Sequence, residues 1–294
     1  MNGVAETICV DIGNSGLRCV WVPHAGALPT KLDPQMKAWS GDVLRIDWPL
    51  RLTRAGGDMV PSPLAKMHLS NLLDQWLTAT AILHIGSKQD THDGRRRWIV
   101  SSVQRESEAL LRSCVDVAHA SDYRVITAID VDLHVDLEFP DRVGVDRLLA
   151  ASAALESAGT APLIVIQAGS AITVDWVEAP RRFCGGAILP GVPMMLRLLS
   201  QAADLLPEVA ADELLDLPIL PGRNTAEAMF AGVSSAVVGG VQHLIARYRS
   251  QPGRQDATVV LSGGDGPRLA SHLPGKVIIV DHLVLRGLAD LVRQ

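Results

Sequence analysis

Metal-type cysteine spacing, an excess of basic charge and a membrane-length apolar run are all missing from this chain, and each absence removes a class of function. The four cysteines, at positions 9, 19, 114 and 184, are scattered with no ligand-like spacing. Cys9 and Cys19 fall inside apolar runs, where a thiol behaves as a small hydrophobe, and this usage fits a reducing cytoplasm. Lys and Arg number 27 against 32 Asp and Glu, a formal net charge of −5. Such a balance gives no global pull toward nucleic acid or an anionic membrane, so any attraction to phosphate must be local. No basic-then-apolar leader precedes Asp11, and no apolar run reaches the roughly 20 residues that span a bilayer. The expectation is a cytoplasmic protein with neither nucleic acid nor membrane as partner.

What is present fits a globular chain of one large or two medium domains: 294 residues, 48% hydrophobic and 20% charged. Ile8-Cys9-Val10 runs into Asp11-Ile12-Gly13-Asn14-Ser15-Gly16 and then into Leu17-Arg18-Cys19-Val20-Trp21-Val22. The same grammar recurs later, where Leu163 to Ile166 leads through Gln167-Ala168-Gly169-Ser170-Ala171 into Ile172-Thr173-Val174-Asp175. Without a side chain at Gly13 or Gly169, backbone N–H groups can approach phosphate oxygens closely. Asp11, at a strand end, suits a divalent cation or its waters, since magnesium takes few carboxylates and keeps water. Either turn alone is also an ordinary hairpin.

The periodicity predicts helices over Leu64 to Leu77, Gln104 to Val115, Val145 to Ser157 and Thr225 to Tyr248. Strands are expected at Ala81 to Ile85, Trp98 to Val103, Leu163 to Ile166, Ile172 to Val177 and Thr258 to Leu261. Residues from about 23 to 63, rich in Pro, Gly and Trp, read as an irregular elaboration. Both halves begin with a strand, a small-residue turn and a returning strand, then alternate helices and strands. The fold class is therefore α/β with a structural duplication, divided as residues 1–135 and 136–294, with the nucleotide cleft between the halves. Ser262-Gly263-Gly264-Asp265-Gly266, after a strand and before a helix, suits backbone approach to a nucleoside or a plain loop. Asp130, Asp132, His134 and Asp136 alternate with apolar residues, so they read as one strand face, solvated or metal-binding. Gly94-Arg95-Arg96-Arg97-Trp98 reads as a solvated basic run rather than a nucleic-acid patch.

Five segments in order carry a family resemblance: Asp11-Ile12-Gly13-Asn14-Ser15, Gly144-Val145-Asp146-Arg147, Gly169-Ser170-Ala171-Ile172-Thr173-Val174-Asp175, Gly185-Gly186-Ala187-Ile188-Leu189-Pro190-Gly191 and Asn224-Thr225. The chain resembles the type III pantothenate kinases, of the superfamily that unites acetate and sugar kinases, heat-shock proteins and actin. The resemblance implies two ribonuclease-H-like halves with ATP between them, and phosphorylation of pantothenate to 4′-phosphopantothenate at the first step of coenzyme A biosynthesis. It implies that Asp11, Ile12, Gly13, Asn14, Ser15, Gly16, Leu17 and Arg18 form the first ATP phosphate turn and that Ser170 is a second ATP contact. Asp11 would also hold magnesium. Gly144, Val145, Asp146 and Arg147 would line the pantothenate site with Asp146 as proton acceptor, and Thr225 would reach that site from the partner subunit of a homodimer.

Without the resemblance, Asp146 and Arg147 read as an acid complementing a helix dipole and an exposed arginine. Asn224 or Thr225 reads equally as a helix cap. Two positions depart from the family pattern. Gln167 stands where the family places an aspartate for a monovalent cation, K+ or NH4+, and Ser170 replaces a threonine while keeping the hydroxyl. The neutral amide motivates the alternative of a non-catalytic homologue that binds nucleotide or pantothenate in a regulatory role.

Overall fold

The computed structural model describes residues 6–22, 43–47, 63–84, 96–115, 120–159, 161–209 and 220–293. Two sheets organise it. The first has the order β3-β2-β1-β4-β5 and comprises β1 (Glu6–Ile12), β2 (Gly16–Val22), β3 (Leu44–Asp47), β4 (Arg96–Ser102) and β5 (Ala120–Val125). β1, β2 and β3 form an antiparallel meander, whereas β4 runs parallel to β1 and β5 parallel to β4. Alternation along the strands sends Ile8, Val10, Ile12, Leu17, Cys19, Trp98 and Val100 into one core. Helices α1 (Pro63–His84) and α2 (Arg105–Val115) close it, with Leu69, Leu73 and Leu77 at four-residue spacing on the buried face of α1. The other face of β1 therefore carries Cys9 and Asp11.

The second sheet has the order β11-β10-β7-β8-β9-β6. Its strands are β6 (His134–Val135), β7 (Leu163–Ala168), β8 (Ala171–Glu178), β9 (Arg182–Pro190), β10 (Thr258–Ser262) and β11 (Val277–Ile279). β7 to β11 repeat the order and directions of β1 to β5, with β6 added at the edge, so the duplication is a fact of topology. Helix α5 (Thr225–Arg249) lays Val237, Val241 and Ile245 on Ile164, Ile166, Val174 and Val259, and α6 (Gly266–Ala270) adds Leu269. By length and composition α5 is apolar enough to cross a bilayer, contrary to the expectation that no apolar run in the chain is long enough. In this fold those three residues pack it against a sheet. The remaining helices are α3 (Val145–Ala158), α4 (Val192–Ala202) and α7 (Leu283–Arg293).

Contacts divide the chain into two compact units, one of Met1–Asp132, Asp141–Leu149 and Val284–Gln294, the other of Leu133–Pro140 and Ala150–Leu283. Three sequence expectations change. Ala81 to His84 continue helix α1 instead of forming a strand, because a short apolar run after a long helical pattern extends the helix. Asp130 closes a 3-10 turn, accepting from Thr127 N–H at 2.8 Å, so only His134 and Val135 remain as strand and the shared polar face is lost. The elaboration holds β3, which pairs with β2; its residues 23–42 and 48–62 lie outside the described residues. Of the basic run, Gly94 and Arg95 lie outside them too, while Arg96 stacks over Trp21 and Arg97 pairs with Asp122 at 3.1 Å.

Candidate functional site

The β1–β2 hairpin turns at Gly13 to Gly16, closed by Gly13 N–H donating to the Gly16 carbonyl at 2.9 Å. Asn14 and Ser15 at its tip are exposed, and a Cβ at Gly13 would meet only the Gly16 oxygen at 3.8 Å. Among the described residues nothing else approaches a side chain there. The tip is braced from the β4–α2 connection: Gln104 Nε2 donates to Asn14 Oδ1 at 3.0 Å, and Val103 N–H donates to the Ile12 carbonyl at 3.1 Å. Gln104 was missed in the sequence, where it reads as the start of a helix.

Asp11 pairs across the strands with Arg18, whose guanidinium lies 3.8 Å from its carboxylate. Burial pushes the Asp11 carboxyl up to about 7; Arg18 opposes this and the charge of Asp146 adds to it. Asp146, in the first turn of α3, is also raised by burial, against the backbone N–H of Arg147 and its charge. That N–H donates to Asp146 Oδ1 at 2.9 Å. A Cβ at Gly144 would collide with Asp146 Oδ1, so glycine there is what lets the carboxylate fold back over the helix start. Among the described residues no group of three or more His, Cys, Asp or Glu side chains could hold a metal ion. Asp11, which feels the charge of Asp146, instead offers an oxygen-donor carboxylate, a ligand type that suits a largely hydrated magnesium ion rather than a softer metal.

The β7–β8 hairpin repeats the plan. Gly169 N–H donates to the Ala171 carbonyl at 3.2 Å, and a Cβ at Gly169 would meet only that oxygen, at 3.7 Å. The start of α4 locks onto this turn, since Gly191 N–H donates to the Ser170 carbonyl at 2.8 Å and a side chain at Gly191 would strike the Gly169 carbonyl. The loop after β10 meets it from another side, Asp265 N–H reaching the Ala168 carbonyl at 3.2 Å. At the start of α5 the cap is Asn224, whose side chain accepts from Glu227 N–H at 2.9 Å. Thr225 is the first helical residue and exposed, so the helix does not use its hydroxyl as the cap. Asp11, Arg18, Gly144, Asp146 and Arg147 thus belong to one compact unit, and Gln167, Ser170 and Thr225 to the other.

Comparison with known proteins points one way. A family model for type III pantothenate kinases matches residues 66–247, more than half of the chain. The type III pantothenate kinase of Rhodopirellula baltica is 41% identical over 199 residues, 66% of this chain and 71% of its own length. That of Geobacillus thermodenitrificans is 29% identical over 258 residues, 87% of this chain and 92% of its own. Among solved structures, a protein from Campylobacter jejuni named as a Baf family transcriptional activator shares 17% identity with a TM-score of 0.52 over 97% of each chain, a likeness of fold alone.

Proposed function

The chain belongs to the type III pantothenate kinase family, and from that premise we propose how its residues carry ATP-dependent phosphorylation of pantothenate to 4′-phosphopantothenate, the first step of coenzyme A biosynthesis. The family makes it a kinase that uses ATP and a divalent metal. Phosphoryl transfer asks the protein to align a hydroxyl, to offset phosphate charge and to take up a proton. Magnesium, when bound, neutralises charge on the phosphates.

Asp146 is the proton acceptor. Its carboxyl, raised by burial, is a stronger base than a surface aspartate, and Arg147 N–H engages Oδ1 and holds the group at the helix start. Asp11 holds the divalent cation, with Arg18 as the adjacent cation. The backbone from Ile12 to Leu17 lines the first phosphate turn, supported by the space beside Gly13, where among the described residues a Cβ would meet only the Gly16 oxygen. Ser170 contacts ATP from the second turn. Gly144, Val145 and Arg147 line the pantothenate site around Asp146. The observation that carries this reading is the buried Asp11 carboxylate at the end of β1, paired with Arg18 and followed directly by the glycine turn at Gly13.

The active form in this reading is a cytoplasmic homodimer, with Thr225 completing the partner's pantothenate site. An exposed run of small residues on α5 supports it, since Gly232 and Gly239 have open space where a Cβ would stand and admit a close helix. Gln167 marks the position of a monovalent cation, K+ or NH4+, which an amide holds less strongly than a carboxylate. Incubation with ATP, magnesium and pantothenate, followed by mass spectrometry, tests the activity. Equal amounts of ADP and phosphopantothenate are expected; neither appearing counts against it.

A further inference from the structure

Ser101 is fully buried, at 0% exposure, and its hydroxyl has no hydrogen-bond partner among the described residues. It stands in register with Asp11 on the adjacent parallel strand, β4 beside β1. Trp98 and Val100 face the α1–α2 core, as do Val10 and Ile12, so alternation puts Ser101 and Asp11 together on the opposite face. Neighbouring strands lie about 4.8 Å apart, which sets two side chains on one face within reach of a common ligand.

The duplicated sheet supplies a comparison within the molecule. There Ser262 of β10 stands in register with Gln167 of β7, as Ser101 does with Asp11. The Ser262 hydroxyl has a structural task, accepting from Leu283 N–H at 3.4 Å at the start of α7. Ser101 has none. A buried hydroxyl without a partner is unfavourable to folding, whereas alanine would fit the same space without that cost.

We propose that Ser101 is a positioning residue for the divalent cation: its hydroxyl accepts a hydrogen bond from a water of the hydrated ion carried by Asp11. Magnesium keeps several waters, and a buried water needs two or more polar partners, which Asp11 and Ser101 together supply. The inference rests on the assignment of the cation to Asp11.

Manganese serves as the probe, its binding to the protein with ADP followed by electron paramagnetic resonance in the natural protein, Ser101→Ala and Asp11→Asn. Ser101→Ala is expected to weaken manganese binding about tenfold, the scale of one hydrogen bond to a charged centre. The same substitution leaves the ligand-free melting temperature equal or higher, because it deletes an unpaired group; a merely structural serine would lower the melting temperature and spare the affinity. If Ser101→Ala folds poorly, the near-isosteric Ser101→Cys takes its place with the same expected weakening. Binding within twofold of the natural protein in the serine variant, with Asp11→Asn clearly weakened, overturns the role of Ser101 alone. Unweakened binding in Asp11→Asn removes the Asp11 assignment and this proposal with it.

Discussion

Gln167 occupies in the second hairpin the place that Asp11 occupies in the first: each is the penultimate residue of its opening strand, and each has a serine of the next parallel strand beside it, Ser262 and Ser101. Across the hairpin Asp11 faces Arg18, whereas Gln167 faces Thr173. One hairpin is thus built around charge and the other around neutral hydrogen-bonding groups.

The neutral second hairpin has a measurable consequence. A monovalent cation held partly by charge loses affinity when its carboxylate becomes an amide, so weak or absent activation by potassium or ammonium is expected. Gln167→Asp should raise potassium dependence. Titration of activity with potassium against tetramethylammonium at constant ionic strength reads it, and strong saturable activation of the natural protein would contradict the inference.

Gly144→Ala places a methyl group where Asp146 Oδ1 sits. The carboxylate must swing away, so kcat should fall roughly ten- to a hundredfold, the effect expected of a misplaced catalytic group. The melting temperature should change little, since the displaced group is half-buried at a helix start. Undiminished kcat would show that the position of the carboxylate is not set by this glycine.

Asp11 gives a pH dependence of defined sign. Its carboxyl titrates near 3.8 when unfolded and about 7 when folded, so between these values the folded state holds the extra proton. Stability therefore declines as pH rises through that window, and the penalty is complete above about pH 7. Asp11 is only 7% exposed, and the shift corresponds to at most roughly 4 kcal/mol. Asp11→Asn should accordingly stabilise the metal-free protein at pH 8 and have little effect at pH 4. Melting curves in a chelator at both values check this; an equal gain at both would mean that the charge of Asp11 is not the source.

Thr225 provides a test of assembly. Mixing Asp146→Asn with Thr225→Arg subunits should regenerate activity if each site draws on two chains, because one site of the mixed dimer then carries neither change. No recovery after proven subunit exchange would place the whole site in one chain.

Much of the architecture was legible because its signals are local. Gly-Asn-Ser-Gly between alternating apolar runs fixed the first hairpin, and the repeated grammar exposed the duplication. Elements set by their neighbours were harder to read. β5 is a polar strand that among the described residues pairs with β4 alone, β11 has three residues, and Ala81 to His84 read as a strand although they end the long helix α1. In the site, Asp11 and Asp146 were found through motif order, but Ser101 and Gln104 were not. A serine at a strand end carries no sequence signal; only the register beside Asp11 and its unpaired hydroxyl distinguish it. The reason for Gly144 is likewise a contact with Asp146, visible only in three dimensions.

The central claim is that this chain transfers phosphate from ATP to pantothenate with Asp146 as proton acceptor. Its most direct test is the initial rate of 4′-phosphopantothenate formation at saturating ATP, magnesium and pantothenate, measured for the natural protein and for Asp146→Asn with matched circular dichroism. Robust product formation by the natural protein and a fall of about 10²–10⁴-fold in the variant is expected, the usual contribution of a general base. A variant rate within about threefold of the natural one, roughly 0.7 kcal/mol in the barrier, would contradict the assignment of Asp146, and no product from the natural protein would contradict the function itself.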